Sequence, residues 1–303
     1  MAELDGKVAI VTGAGRGLGR EEAIDLAANG ARVVINEIDR PEAKQAAEQT
    51  VDDIKAAGGE ATLVLGDCAS TDDAQRLFET TIKTYGDMNI MVNNAGFVRD
   101  KTIFSMDDEE FDSVVRVHLR GHFVNMRNAT AYWRGKAKSG EQVYGRLIST
   151  SSEAAIYGSA GQPNYAAAKA GIVAMTMGAA QLMIKYGITC NVIMPRAATD
   201  MTMQGPTAAM FQAPDSGFHQ FDPANVAPLV TYLSSPRSSH IAGEVFIAWG
   251  NQVSVLKRPE PLDPHVNPDG ESRWTLDGLD RSLSTYFDEN HVPVRDGYSL
   301  PIG

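Results

Sequence analysis

The chain has 303 residues, 43% of them hydrophobic and 21% charged, which excludes a disordered or collagen-like polymer and allows a sizeable core. Its 27 lysines and arginines against 38 aspartates and glutamates give a net charge of −11. That balance argues against a nucleic-acid or anionic-membrane partner and leaves room only for local basic pockets. Length by itself allows either one large domain or two small ones.

In chain order, β-branched runs at residues 7–11, 32–36, 61–65, 89–92, 145–150, 188–193 and 244–248 predict seven strands. Helical patterns lie between them, for example at 22–28, 41–57 and 71–85. This βα rhythm predicts an α/β fold, a doubly wound (Rossmann) parallel sheet of about seven strands. Runs such as Val8-Ala9-Ile10-Val11 suit strands buried on both faces. There is no internal repeat. The rhythm stops near Gly250, so residues 1–250 are expected to form one domain. Residues 251–303 form a C-terminal extension in which Pro259, Pro261, Pro264 and Pro268 break a charged connector. Leu276, Leu279, Leu283 and Phe287 then recur at helical spacing behind a Thr275 cap, as in a docking arm or lid.

Cys68 and Cys190 each sit in or beside an apolar run and read as buried thiols of a reducing compartment. The start Met-Ala-Glu-Leu-Asp-Gly-Lys has no basic segment followed by an apolar one, and no apolar run approaches a membrane span. A cytoplasmic protein without a membrane partner is the expectation.

Thr12-Gly13-Ala14-Gly15-Arg16-Gly17-Leu18-Gly19-Arg20 connects the first strand to the first helix. Glycines there let backbone approach a pyrophosphate, and the helix start offers unpaired N–H groups and the positive end of its dipole. Glu37, 18 residues beyond Gly19, is placed to accept hydrogen bonds from ribose hydroxyls and to repel a 2′-phosphate, favouring NAD over NADP. Arg16 and Arg40 point the other way.

Further motifs follow in order: Asp67 after strand three, Asn93-Asn94-Ala95-Gly96 after strand four, Ser152 after strand five, and Tyr165-Ala166-Ala167-Ala168-Lys169 opening the next helix. With the glycine turn, this set resembles the short-chain dehydrogenase/reductase family over roughly residues 5–250. Tyr165 and Lys169, four apart, share a helix face, so the ammonium can stabilise a phenolate and make Tyr165 an acid/base near neutral pH. Ser152 can donate to the oxygen on which charge develops. Ser151 is the neighbouring alternative, and the family's Ser-to-Tyr interval selects Ser152. The resemblance implies that Lys169 and Tyr165 border the nicotinamide ribose. It also implies cofactor contacts from Gly13, Arg16, Gly17, Leu18, Gly19, Glu37, Asp67, Cys68, Asn94, Ala95, Gly96, Pro195 and Ala198, with Asp67 holding the adenine amine unless it merely caps its strand. A homotetramer or homodimer is implied as well.

The chain departs from the family in two places. His118-Leu119-Arg120-Gly121 stands where most relatives have Asn-x-x-Gly, as in the (3R)-hydroxyacyl-CoA dehydrogenase unit of peroxisomal multifunctional β-oxidation enzymes. His118 is either a proton relay or a buried structural ring. Pro195-Arg196 replaces the usual Pro-Gly, and Arg196 faces either an anionic substrate group, such as a CoA phosphate, or solvent. Met201, Met203, Met210, Phe211 and Phe218, with Gly205, Pro206 and Pro214 among them, read as a mobile substrate loop or as adaptable core. These features imply an NAD-dependent oxidoreductase interconverting a secondary alcohol and a ketone, with 3-hydroxyacyl-CoA, including one with a steroid or bulky apolar chain, as the leading substrate. An NADP-dependent 3-oxoacyl-thioester reductase, a free hydroxysteroid dehydrogenase and a non-catalytic dinucleotide-binding regulator are the alternatives. The six histidines, His118, His122, His219, His240, His265 and His291, show no metal-site spacing, and no metal is expected.

Overall fold

A computed structural model describes residues 2–204, 208–270 and 273–290. Eight strands form one sheet: β1 Val8–Thr12, β2 Arg32–Glu37, β3 Glu60–Leu65, β4 Ile90–Asn93, β5 Arg146–Thr150, β6 Thr189–Pro195, β7 Val245–Trp249 and β8 Gln252–Val255. Their order is β3-β2-β1-β4-β5-β6-β7-β8. Neighbours pair in parallel except β8, which runs antiparallel to β7. Among the described residues the helices are α1 Gly17–Ala28, α2 Pro41–Ala56, α3 Thr71–Tyr85, α4 Asp108–Val115, α5 Gly121–Lys138, α6 Ala154–Tyr157, α7 Pro163–Met183, α8 Ala227–Ser234 and α9 Leu276–Asn290.

The alternation of side chains along each buried strand splits the core in two. Ala9, Val11, Ile35, Val92 and Ile148 face Ala23 and Leu26 of α1 and Val230 and Leu233 of α8. Ile10, Val34, Met91 and Leu147 face Leu77 and Phe78 of α3, Trp133 of α5 and Ala180 of α7. After β3 the chain returns to the other side of β1, so the direction of winding reverses between β1 and β4. The crevice beyond the carboxyl ends of these strands is where such a sheet accepts a ligand.

Local signals set several boundaries. Ser70 Oγ accepts from the Asp73 amide at the start of α3, and Gly86 ends that helix at φ +83°. Asp107 and Glu110 form a reciprocal capping box on α4. Between α4 and α5, residues Arg116–Arg120 make a π-helical turn, a wide turn often found at functional sites.

Two expectations need correction. The sheet has eight strands, not seven, and the sheet-bearing unit runs to Leu256 rather than 250. Gly250 at φ +51° and Asn251 form a two-residue hairpin loop that folds Gln252 back on Trp249. A Gly-Asn pair is a recognised hairpin signal, but the fully exposed β8 lacks the apolar run that marks the other strands. In addition, Pro163–Tyr186 is apolar and long enough to cross a membrane by length and composition, although Lys169, Gln181 and Lys185 interrupt its apolar run. Its inner face, including Ala168, Ile172, Thr176 and Ala180, packs in the core.

The described residues beyond Leu256 belong to a separate unit. Its helix α9 is capped as expected, with Thr275 Oγ1 accepting from the Gly278 amide at 3.0 Å. Asp269 pairs with Arg281 at 2.5 Å, and His265 meets Tyr286 edge-on.

Candidate active site

The glycine turn makes a tight cradle. Gly13 and Gly17 adopt φ of +64° and +55°. A Cβ on Gly13 would stand 2.7 Å from Ala95 Cα, and one on Gly19 2.5 Å from Asn94 Nδ2. Side chains at these positions would collide with the segment after β4 and push the turn away from it, and α1 opens without a side-chain cap, which leaves its N–H groups for a pyrophosphate. Leu18 packs beneath, against the α1-side core. Asn94 Nδ2 donates to the carbonyls of Thr12 and Gly13 at 3.1 Å, while Thr12 Oγ1 accepts from the amides of Asn94 and Ala95. Thr12, which sequence reasoning passed over, thus ties the end of β4 to the turn. These residues fit a dinucleotide.

Glu37 ends β2 and accepts from the Gly15 amide through Oε2 and from its neighbour Ile38 through Oε1, both at 3.0 Å. Arg16 is exposed and engaged, pairing with Asp200 at 3.3 Å and donating to the Glu42 carbonyl. Asp67 caps its own turn, with Oδ1 accepting from Ala69 N at 2.8 Å and Oδ2 from Arg116 at 2.6 Å. Cys68 lies against Gly121, and burial pushes its thiol up to about 12, as it does for Cys190, so neither is a thiolate near neutral pH.

The catalytic candidates converge beyond β5. Ser151 is turned inward, its hydroxyl donating to the Lys169 carbonyl at 2.9 Å. Ser152 Oγ accepts from the Ala154 amide at 3.2 Å. Asn164 anchors the start of α7 by donating to the Arg99 and Glu110 carbonyls, which aligns Tyr165 and Lys169. Lys169 Nζ lies 5.4 Å from the Tyr165 ring centroid and donates to the Thr150 carbonyl at 2.6 Å.

His118 lies on the π-helical turn and meets Tyr165 edge-on at 5.2 Å. Its Nε2 is 2.7 Å from the Phe97 carbonyl, while Nδ1 is buried without a hydrogen bond. Burial, then the charge on Lys169, drives its pKa well below the ordinary histidine value. The histidine is therefore neutral near pH 7. His122, one turn on, donates through Nδ1 to the His118 carbonyl at 2.7 Å.

Pro195 closes β6 opposite Ala248, and the Ala198 amide donates to Phe221 O at 2.7 Å. Arg196 meets neither expectation: it is neither solvated nor free for a substrate anion. Its guanidinium forms two bonds to Glu153, at 2.6 and 2.9 Å, and lies 4.1 Å from the Trp249 ring centroid. Glu153 directly follows Ser152, so no local spacing announces the pair; only the pairing of β5 with β6 brings the two loops together. In the Met-rich segment, Phe211 packs on Phe221, Met203, Met210 and Phe218 are exposed, and Gly205 and Pro206 lie outside the described residues. Among the described residues, which exclude His291, no cluster of three or more potential metal ligands occurs.

A parallel sheet with this glycine cradle and this Ser, Tyr and Lys set defines a dinucleotide-dependent oxidoreductase. The chain belongs to the short chain dehydrogenase family, whose model matches residues 7–209, and acts on CH–OH groups with a nicotinamide dinucleotide. It is 46% identical to the hydroxyacyl-CoA dehydrogenase ChsB1 of Mycobacterium tuberculosis, over 94% of this chain and 90% of that protein. It is 40% identical to the peroxisomal multifunctional enzyme type 2 of Drosophila melanogaster, covering 86% of this chain and 43% of that longer protein. A crystal structure of a short chain dehydrogenase from Mycobacterium avium superposes with a TM-score of 0.86 at 40% identity, covering 98% of this chain and 100% of the other.

Proposed function

We propose that the protein is an NAD-dependent 3-hydroxyacyl-CoA dehydrogenase, with Ser152, Tyr165 and Lys169 as its catalytic residues. The observation that carries the chemistry is the placement of Lys169 Nζ beside the Tyr165 ring, with Ser152 at the end of the adjoining strand. A nicotinamide dinucleotide held by the glycine turn would supply the hydride chemistry that interconverts the alcohol and the ketone. Tyr165 takes the hydroxyl proton during oxidation and gives it back during reduction. The Lys169 ammonium favours the phenolate, and Ser152 donates a hydrogen bond to the substrate oxygen. The Glu37 carboxylate beside the glycine turn supports NAD, because a 2′-phosphate there meets like charge. The ChsB1 resemblance over nearly the whole chain supports an acyl-CoA thioester, and the test below asks whether a steroid or other bulky apolar acyl chain is preferred. A cytoplasmic homodimer or homotetramer completes the proposal.

The test is a reduction assay with NAD and NADP over 3-hydroxyacyl-CoAs, free hydroxysteroids and simple secondary alcohols. Turnover of the thioesters with NAD is expected, along with a loss of about a hundredfold or more in Tyr165→Phe. Preference for NADP with 3-oxoacyl thioesters, or for free steroids, would overturn the substrate and cofactor assignment.

A further inference from the structure

Arg196, the cation that the sequence offers to a CoA phosphate, is taken up by Glu153. An acyl-CoA still brings a pyrophosphate and a phosphorylated ribose, and a chain of net charge −11 must meet them with cations placed locally. Several cations around the crevice are engaged: Arg16 by Asp200, Arg116 by Asp67, Arg120 by the Ala69 carbonyl and Lys169 by the Thr150 carbonyl. Arg99 is exposed and, among the described residues, has no carboxylate at ion-pair distance; its guanidinium donates only to the neighbouring Val98 carbonyl.

The path of the chain places Arg99 on the substrate side. Residues 94–100 run from the glycine cradle to the start of α7. Asn94 is bonded to the Thr12 and Gly13 carbonyls, and Phe97 meets His118, whose ring touches Tyr165. Arg99 then offers its carbonyl to Nδ2 of the fully buried Asn164, the residue before Tyr165, and Asp100 accepts from Gln162 at 2.9 Å. A dinucleotide in the cradle approaches Tyr165 from one end of this segment, and Arg99 stands at the other.

The loop that continues from it has the composition of a nucleotide-binding surface. Arg99 stacks 5.0 Å from the Phe97 ring centroid. Lys101 makes only a loose, half-exposed pair with Glu110 at 3.8 Å, a contact that contributes little. The acids close by are occupied, Asp100 by Gln162 and Asp107 and Glu110 by the α4 capping box. Phe104 is 87% exposed on a turn fixed by the Ser105 and Met106 amides, which both donate to the Thr102 carbonyl at 3.0 Å. An aromatic ring held in solvent beside two cations suits a base with phosphates attached.

We infer that the loop between β4 and α4 recognises the nucleotide end of CoA: Arg99, with Lys101, binds its phosphates, and Phe104 stacks on its adenine. The inference rests on the proposed thioester substrate and deepens it, since a free alcohol or steroid has no such end.

The experiment measures kcat and KM for one 3-hydroxyacyl chain carried as its CoA, dephospho-CoA and pantetheine thioesters, in the wild type, Arg99→Gln, Arg99→Lys, Lys101→Gln and Phe104→Ala. KM for the CoA thioester is expected to rise about tenfold in Arg99→Gln and in Phe104→Ala, and by less in Lys101→Gln. Arg99→Lys should recover part of the loss. KM for the pantetheine thioester and for NAD should not move. If Arg99→Gln costs as much with dephospho-CoA, Arg99 serves the pyrophosphate; if the cost disappears, it serves the ribose phosphate. Equal losses on the CoA and pantetheine thioesters, or a raised KM for NAD, would overturn the inference and leave the thioester reading intact. A wild type that turns over free alcohols and none of the thioesters would overturn both.

Discussion

Gly96 is a glycine because of His118. A Cβ built on Gly96 would overlap the imidazole, standing 2.7 Å from Nδ1 and 2.8 Å from Nε2. The ring fills that space because the π-helical turn directs it under the end of β4, where Nε2 meets Phe97. Gly96→Ala should therefore destabilise the fold by about 1–3 kcal/mol through overpacking. His118→Ala in the same chain should recover part of that loss. Denaturant unfolding of the two single variants and the double variant measures the coupling.

Because burial keeps His118 neutral near pH 7, positioning is favoured over proton relay. His118→Ala is expected to alter stability and cofactor affinity more than the pH dependence of turnover. A kcat–pH profile in which one limb disappears would restore the relay.

The Glu153–Arg196 pair, with side chains 7% and 13% exposed, ties the loop after Ser152 to the segment after Pro195. Arg196→Gly should cost about 3 kcal/mol by leaving Glu153 buried and unpaired. Urea unfolding checks this. Replacing both residues by apolar ones of similar size should restore stability and leave kcat reduced, because the Ser152 loop loses its tether.

Glu37 bears on cofactor choice. Glu37→Gln removes the charge that a 2′-phosphate would meet, and should raise kcat/KM for NADP relative to NAD by about tenfold, or about 1.4 kcal/mol. Steady-state kinetics with both dinucleotides would show it. An unchanged ratio would mean that Glu37 serves only to accept from the Gly15 amide.

Acid should destabilise the protein through its buried histidines. Burial, then Lys169, lowers His122 to about 3, and His118 also lies well below 6.5. A histidine whose folded pKa is lowered binds fewer protons folded than unfolded. Stability should therefore fall as pH drops below about 6.5 and keep falling toward pH 3. Melting temperatures across this range should decline, and His122→Asn should flatten the slope.

What the sequence determined by itself was whatever rests on local rules. Apolar β-branched runs, the glycine turn between strand and helix, the Thr275 cap and the four-residue spacing of Tyr165 and Lys169 each follow from near neighbours. They located seven strands, the cradle and the catalytic candidates. β8 was missed because its residues, all exposed, lack the apolar signature. Tertiary structure alone decided which charges lie buried and against what. Arg196 meets Glu153 across the β5–β6 pairing, Gly96 yields its space to a ring 22 residues away, and Glu22 is buried because its face of α1 is enclosed by the core. Desolvation depends on everything that surrounds a group, so the ionisation of Lys169, His118 and Glu22 is a property of the packed core and is invisible in residue spacing.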